Sequence, residues 1–301
     1  MIFRKFPVKL FFGFFIVAVS SLTAGSMLIA VDSDNAEKKK DEVVNYFGDE
    51  ELSTEISKET GASSLDKISD IRIQVVSKDT KIQLGDSAQL SYEITGRLPK
   101  SGKGTILAIQ DGGSVLTLES LDEKGKFNKG CNCYLTITLP KTFSGSIHLK
   151  TVSGDQTLTL SDAQNLQVTS VSGDIKVEAG HVDSLDATSV SGNIQTRLAQ
   201  ANATTNGATM GSIDLKTTSG DVEFFTNQLN RPLKAKTVSG DVTLNLTEKD
   251  SFAYDLNTVS GDINFLPQKM SSSKNLSGKI GDGKYRVDVK TTSGDMTLNI
   301  H

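Results

Sequence analysis

The sequence predicts an all-β chain folded as a right-handed parallel β-solenoid, and three observations predict it. A Thr-Val-Ser-Gly-Asp segment recurs around Gly154, Gly173, Gly192, Gly220, Gly240, Gly261 and Gly294. The intervals between these glycines are 19, 19, 28, 20, 21 and 33 residues. A unit of about twenty residues with two longer insertions marks a solenoid-type repeat. Finally, apolar residues alternate on both sides of each glycine, but in opposite phase.

The alternation fixes the local structure. Ile147, Leu149 and Thr151 precede Gly154 at every second position, as Ile213, Leu215 and Thr217 precede Gly220. His148, Lys150, Asp214 and Lys216 lie between them. This is a strand with one dry and one wet face. After the glycine, pairs such as Ile175 and Val177, or Val242 and Leu244, begin a second alternation. A straight strand keeps one side-chain parity, so Ser-Gly-Asp must be a corner. Glycine suits a corner because it takes positive φ without a Cβ clash. The flanking Ser and Asp can bond the turn's own backbone. Each copy therefore reads strand, corner, strand, loop. One copy cannot bury its apolar face, whereas stacked copies about 4.8 Å apart can. Crossover connections supply the right hand. The inward Thr or Ser before each corner needs a partner, either a hydroxyl ladder or a corner amide.

The rest of the chain divides by composition. Residues 1–9, with Arg4, Lys5 and Lys9, read as a cytoplasmic leader. Residues 10–31 carry no charge and would span about 33 Å as a helix, enough to cross a bilayer core. This is a transmembrane signal anchor, or else a signal peptide cleaved near Ala24-Gly25-Ser26. The leader resembles an export signal, so the bulk is expected outside the cytoplasm; Lys38, Lys39 and Lys40 partly oppose that orientation. Residues 32–68 are highly charged and read as a solvated stalk or linker. Residues 69–140 hold the strand candidates IRIQVV, KIQL, AQLSYEITG, TILAIQ, SVLTLES and CYLTITLP, without the corner motif. They are expected to cap and extend the solenoid. Residues 141–301 form the repeats, and DMTLNIH is expected to end them as a bare last rung.

The LTITLPK segment at Leu135 to Lys141, the repeated Ser/Thr-Val-Ser-Gly-Asp-Ile/Val corners and the single N-terminal apolar segment resemble the bacterial putative-adhesin family of unknown function. The resemblance covers residues 69–301 and implies an adhesin-like β-solenoid domain. The family's name is a fold-level label rather than a ligand. Some relatives look like membrane-anchored envelope-stress or regulatory-operon proteins. The chain departs from the pattern at Asn193 for Asp, at Gln156 for an apolar residue, and at Thr218 and Thr292 for Val.

Candidate chemistry is sparse. Net charge is −4 and no basic stripe is evident in the repeats, which argues against nucleic acid as a partner. Asp155, Asp174, Asp221, Asp241, Asp262 and Asp295 form a column, interrupted by Asn193. Carboxylates about 5 Å apart repel by roughly 1 kcal/mol in water. Calcium is one answer to that repulsion, but the glycine-aspartate nonapeptide of calcium-binding β-rolls is missing. Corner capping is the preferred reading, and no cofactor is expected. Cys131 and Cys133 are candidates for a local disulfide outside the cytoplasm, without the redox C-x-x-C spacing. His148 falls outward, His181 in a loop and His301 at the end, none beside a nucleophile motif. Arg197, Arg231 and Arg286 share no register.

The sequence thus predicts a membrane-anchored, extracytoplasmic, adhesin-like structural or binding module without catalysis, periplasmic or at the cell surface. Its expected partner is a cell-envelope or surface protein or polysaccharide. The alternative is a regulatory partner of a membrane protein in an envelope-stress response. A third reading is a calcium-dependent polysaccharide-cleaving β-helix enzyme.

Overall fold

The computed structural model describes residues 52–99, 107–120, 132–199, 211–266, 270–272 and 274–301. The expected leader, the apolar segment and Cys131 lie outside the described residues. Among those described there is no α-helix, and no helix long and apolar enough to cross a membrane.

The strands before the repeats are β1 (Leu52–Ser64), β2 (Asp70–Ser77), β3 (Asp79–Gly85), β4 (Gln89–Pro99), β5 (Ala108–Asp111), β6 (Val115–Glu119) and β7 (Asn132–Pro140). Within the range read as stalk, Leu52–Ser64 pairs antiparallel with β4. An edge strand needs little apolar sequence. Here the ion pair Lys58–Glu93 at 2.8 Å and the Tyr92 ring, which lies over Gly61, fix it instead.

The repeats supply β8 (Ser146–Ser153), β9 (Gln156–Ser172), β10 (Ile175–Ser191), β11 (Ile194–Leu198), β12 (Ile213–Lys216), β13 (Val222–Thr226), β14 (Leu233–Lys236) and β15 (Val242–Leu246). β9 and β10 each carry the second strand of one rung and the first strand of the next. Neighbouring rungs pair parallel and in register, as in Ala187↔Leu215, Leu215↔Ala235 and Ile194↔Val222. The burial parity reverses at the corner as expected. Ile147, Leu149 and Thr151 are buried before Gly154, and Gln156, Leu158 and Leu160 after it. Each fully buried aliphatic or aromatic side chain contributes about 1.5–3 kcal/mol, and only stacking supplies that burial.

The last strands are β16 (Phe252–Ser260), β17 (Ile263–Phe265), β18 (Met270–Ser272), β19 (Asn275–Ile280), β20 (Tyr285–Ser293) and β21 (Met296–Ile300). Here chain order and spatial order part. β20 lies between β14 and β16, and β21 between β15 and β17. The C-terminal rung is therefore inserted into the stack rather than laid on its end. This corrects the expectation of a bare last rung at DMTLNIH. The outer rung is β16–β17, and β19 and β18 pair antiparallel against it. The 33-residue interval from Gly261 to Gly294 holds those two covering strands and the return.

A similar insertion occurs at the other end. β2 lies between β6 and β8, and β3 between β7 and β9. β2 and β3 thus form a rung with Ser77-Lys78-Asp79 at its corner. Residues 69–140 lack the glycine motif, as read, yet hold a corner without it: Lys78 stands where the repeats have glycine.

Candidate functional site

The corners stack in one file: Lys78, Gly154, Gly173, Gly192, Gly220, Gly240, Gly294, Gly261. Their glycines have φ between +106° at Gly154 and +155° at Gly192, a region L-residues rarely enter. Close approach is the second constraint. A Cβ on Gly240 would lie 2.0 Å from the carbonyl oxygen of Gly220.

The Asp column binds the rungs to one another rather than to the turn's own backbone. The Asp174 N–H donates to Asp155 Oδ1 at 2.9 Å, and the Asn193 N–H to Asp174 Oδ1 at 2.7 Å. Asn193 continues the ladder by accepting the Asp221 N–H at 2.8 Å. Asp221 accepts from Asp241, Asp241 from Asp295 and Asp295 from Asp262. At the start, the Asp155 N–H donates to Asp79. Each side-chain oxygen from Asp79 to Asp295 thus accepts a rung-to-rung amide, which offsets the repulsion down the column, and Asp262 ends the ladder as a donor only. An amide oxygen serves as well as a carboxylate, which is why Asn193 fits. Among the described residues, no three His, Cys, Asp or Glu side chains converge on a metal position.

The inward hydroxyls find a third arrangement, bonding the corner carbonyl of the preceding rung. Thr217 donates to Gly192 O at 3.0 Å, Thr237 to Gly220 O at 3.1 Å and Thr258 to Gly294 O at 3.2 Å. Thr291 and Ser189 do the same to Gly240 and Gly173. Two places in the series differ. Thr151 donates to Ser153 O within its own rung at 2.9 Å. The Gln156 side-chain amide takes Gly154 O at 2.8 Å, and the buried Ser170 Oγ is left without a partner. Gln156 Oε1 is unpartnered too.

Lys78 is 3% exposed, and its Nζ donates to Ser120 Oγ at 2.6 Å. Burial, partly offset by attraction to Glu59, pushes its pKa down to about 8. Burial together with Glu59, which accepts the Tyr92 hydroxyl proton at 3.2 Å, pushes Tyr92 up to about 12.

The outward face of the first strands carries a feature the sequence reading missed. Lys216, Lys236 and Lys290 occupy one column on consecutive rungs, followed by Asn257 and Asn275. The expectation of no basic stripe is corrected by this register. It was hidden because the insertion brings Lys290 next to Lys236. Like charges at rung spacing repel by roughly 1 kcal/mol per pair in water. Asp214 stands 3.7 Å from Lys216. Asp288 is engaged by Arg286 at 2.8 Å, which holds its carboxyl below the usual range. Beside the column, Val238 and Val259 are 51% and 71% exposed. A groove of about 400 Å³ runs between these valines, Lys236, Lys290 and the two asparagines.

The remaining candidates are dispersed. His148 bonds Gln167 and Asp70, His181 pairs with Asp183 at 2.9 Å, and His301 stacks on Phe225. Arg197 lies over the same Phe225 ring at 4.4 Å. Arg231 is buried and bonds Asn230 and the Val182 carbonyl. Cys133 is buried and disulfide-bonded.

A family model described as Toastrack DUF4097 matches residues 68–299. No curated protein matches at a significant level. Among solved structures, a "putative cell adhesion protein" from Clostridium sporogenes is similar at 11% identity and a TM-score of 0.42, over 82% of this chain and 100% of that one. A "putative adhesin" from Bacteroides fragilis is similar at 13% identity and a TM-score of 0.40, over 82% and 98%. A "putative lipid binding protein" from Parabacteroides distasonis is similar at 10% identity and a TM-score of 0.27, over 81% and 97%.

Proposed function

The chain belongs to the Toastrack DUF4097 family, and on that premise we propose that it is an adhesin-like binding module without catalytic activity. In this reading residues 10–31 anchor it in the membrane, and the right-handed stack stands outside the cytoplasm. Its mechanism is presentation: a stiff column of rungs offers its outward face to an envelope or surface partner.

One observation carries the reading. The polar atoms of the corner file are largely spent on neighbouring rungs, through the Asp ladder and the Thr hydroxyls. The side chains left over, including Lys236, Val238 and Val259, are exposed on a surface that the stack holds rigid.

Protein cross-linking in intact cells, with identification of what is captured, tests the proposal. Capture of a surface protein or envelope polysaccharide supports it. Capture of a membrane signalling protein alone would replace it with the regulatory reading. Labelling of the stack only after cell lysis would remove the extracytoplasmic placement.

A further inference from the structure

We propose that two copies of this chain pair side by side through the outward valine file of the first strands, their stacks parallel and related by a two-fold axis along that file. Strands paired in register bring the residue two before each corner into one row, from Val76 to Val259 over eight rungs. Six of the eight are valine, and the other two, Thr218 and Thr292, also present a methyl group. Val152, Val238 and Val259 are 45%, 51% and 71% exposed. A continuous apolar strip on a surface marks an interaction site, whereas single exposed valines would not.

The charges on either side select the occupant. Two residues before the file lies the lysine column, and three residues after it the corner carboxylates, as in Lys236, Val238 and Asp241 or Lys290, Thr292 and Asp295. Asp214 and Asp288 already attract Lys216 and Lys290, so the uncompensated flank is the acidic one. Asp221, Asp241 and Asp295 are exposed and each accepts one rung amide. Among the described residues none of the three makes an ion pair. A polyanion laid on the file would meet these carboxylates, and a polycation would meet the lysines. A second copy turned about the two-fold lays valine on valine and brings its lysines to the carboxylates, level by level. Turned end over end instead, it would set lysine over lysine. Eight rungs span about 34 Å and three outward columns about 20 Å. Their product, roughly 700 Å² per copy, is in the range of specific interfaces. The pairing goes beyond the binding-module reading and leaves the second-strand faces open to a different partner.

Sedimentation equilibrium of the full chain in mild detergent tests this, and the expected result is a reversible dimer. V238E/V259E, at two exposed positions, should raise its dissociation constant at least about tenfold, with the far-ultraviolet circular dichroism unchanged. K236E/K290E should raise it several-fold at low salt and little in 1 M salt. K176E, on the second strand and paired with Glu178, should leave it unchanged. Val238→Cys should form a covalent dimer through position 238 of each chain. A monomer at every concentration reached would overturn the proposal, as would a dimer that V238E/V259E leaves intact. Linkage of Val238→Cys only to Val171→Cys of another chain would mean an antiparallel pair and overturn it too. A monomer that still captures an envelope partner in intact cells would sink the pairing and leave the binding module standing.

Discussion

Replacing Gly240 by Ala adds one carbon at one of the three most confined points of the corner file, level with Gly261 and Gly294. That carbon would sit 2.0 Å from Gly220 O and 2.6 Å from its carbonyl carbon. Both are backbone atoms of a rung paired on its two sides, so neither can swing away as a flexible side chain would. Gly240 also has φ +147°, which costs a non-glycine residue roughly 1–3 kcal/mol. Relieving the clash would stretch the bonds nearest it: Gly240 N–H to Ser293 O at 3.0 Å, Asp241 N–H to Asp221 at 2.8 Å and Thr237 to Gly220 O at 3.1 Å. Each contributes about 0.5–1.5 kcal/mol. The expected loss is at least about 3 kcal/mol, or roughly 10 °C in Tm for a chain of this size. Gly113→Ala is the control. Gly113 has φ +90° with nothing within 4 Å of an added Cβ, so it incurs only the backbone strain, about 1 kcal/mol. Urea unfolding followed by far-ultraviolet circular dichroism reads both. Equal losses in the two variants would refute the close-stacking argument.

Gln156→Ile should stabilise the chain by about 1 kcal/mol, because it removes the orphaned Oε1 and frees Gly154 O for the Ser170 hydroxyl; thermal melts check this, and a clear loss of stability would count against it. Lys78→Met should be more stable than the parent below pH 8. The folded pKa of Lys78, about 8, is below its unfolded value, so the unfolded state binds more protons between the two. Its cost to stability is therefore full below pH 8 and fades as pH rises through the window to about 10.5. Denaturation midpoints measured from pH 7 to 10 should show the gap between variant and parent closing, and a constant gap would contradict the assignment. Asn193→Asp should keep the ladder and cost only about 1 kcal/mol at low salt, fading in 1 M salt; a loss unaffected by salt would mean that the amide group itself is required.

Much of this architecture is legible in the residues. The period-two alternation and its reversal at Ser-Gly-Asp locate the corners and name the buried residues on both sides. Four things were hidden, each for a physical reason. The corner at Lys78 lacks the glycine that signals the others, although Val75-Val76-Ser77-Lys78-Asp79 differs from the repeat by little else. The insertion of β20 and β21 leaves no local trace, because a rung pairs as well with Thr291 and Met296 as with Thr258 and Ile263. Lys290 joins Lys216 and Lys236 only through that insertion, so the full lysine column could not be read from chain order. The acceptor of the Thr hydroxyls was missed because spacing shows that a buried hydroxyl needs a partner, but not which carbonyl the next rung brings to it.

The order of the file can be tested with paired cysteines on the outward face and a thiol cross-linker that spans one rung but not two. Position 292 should link to 238, and 259 should not, because β20 stands between β14 and β16. Linkage of 238 to 259, with 292 left unreacted, would restore chain order to the stack and contradict both the inserted rung and the lysine column built on it.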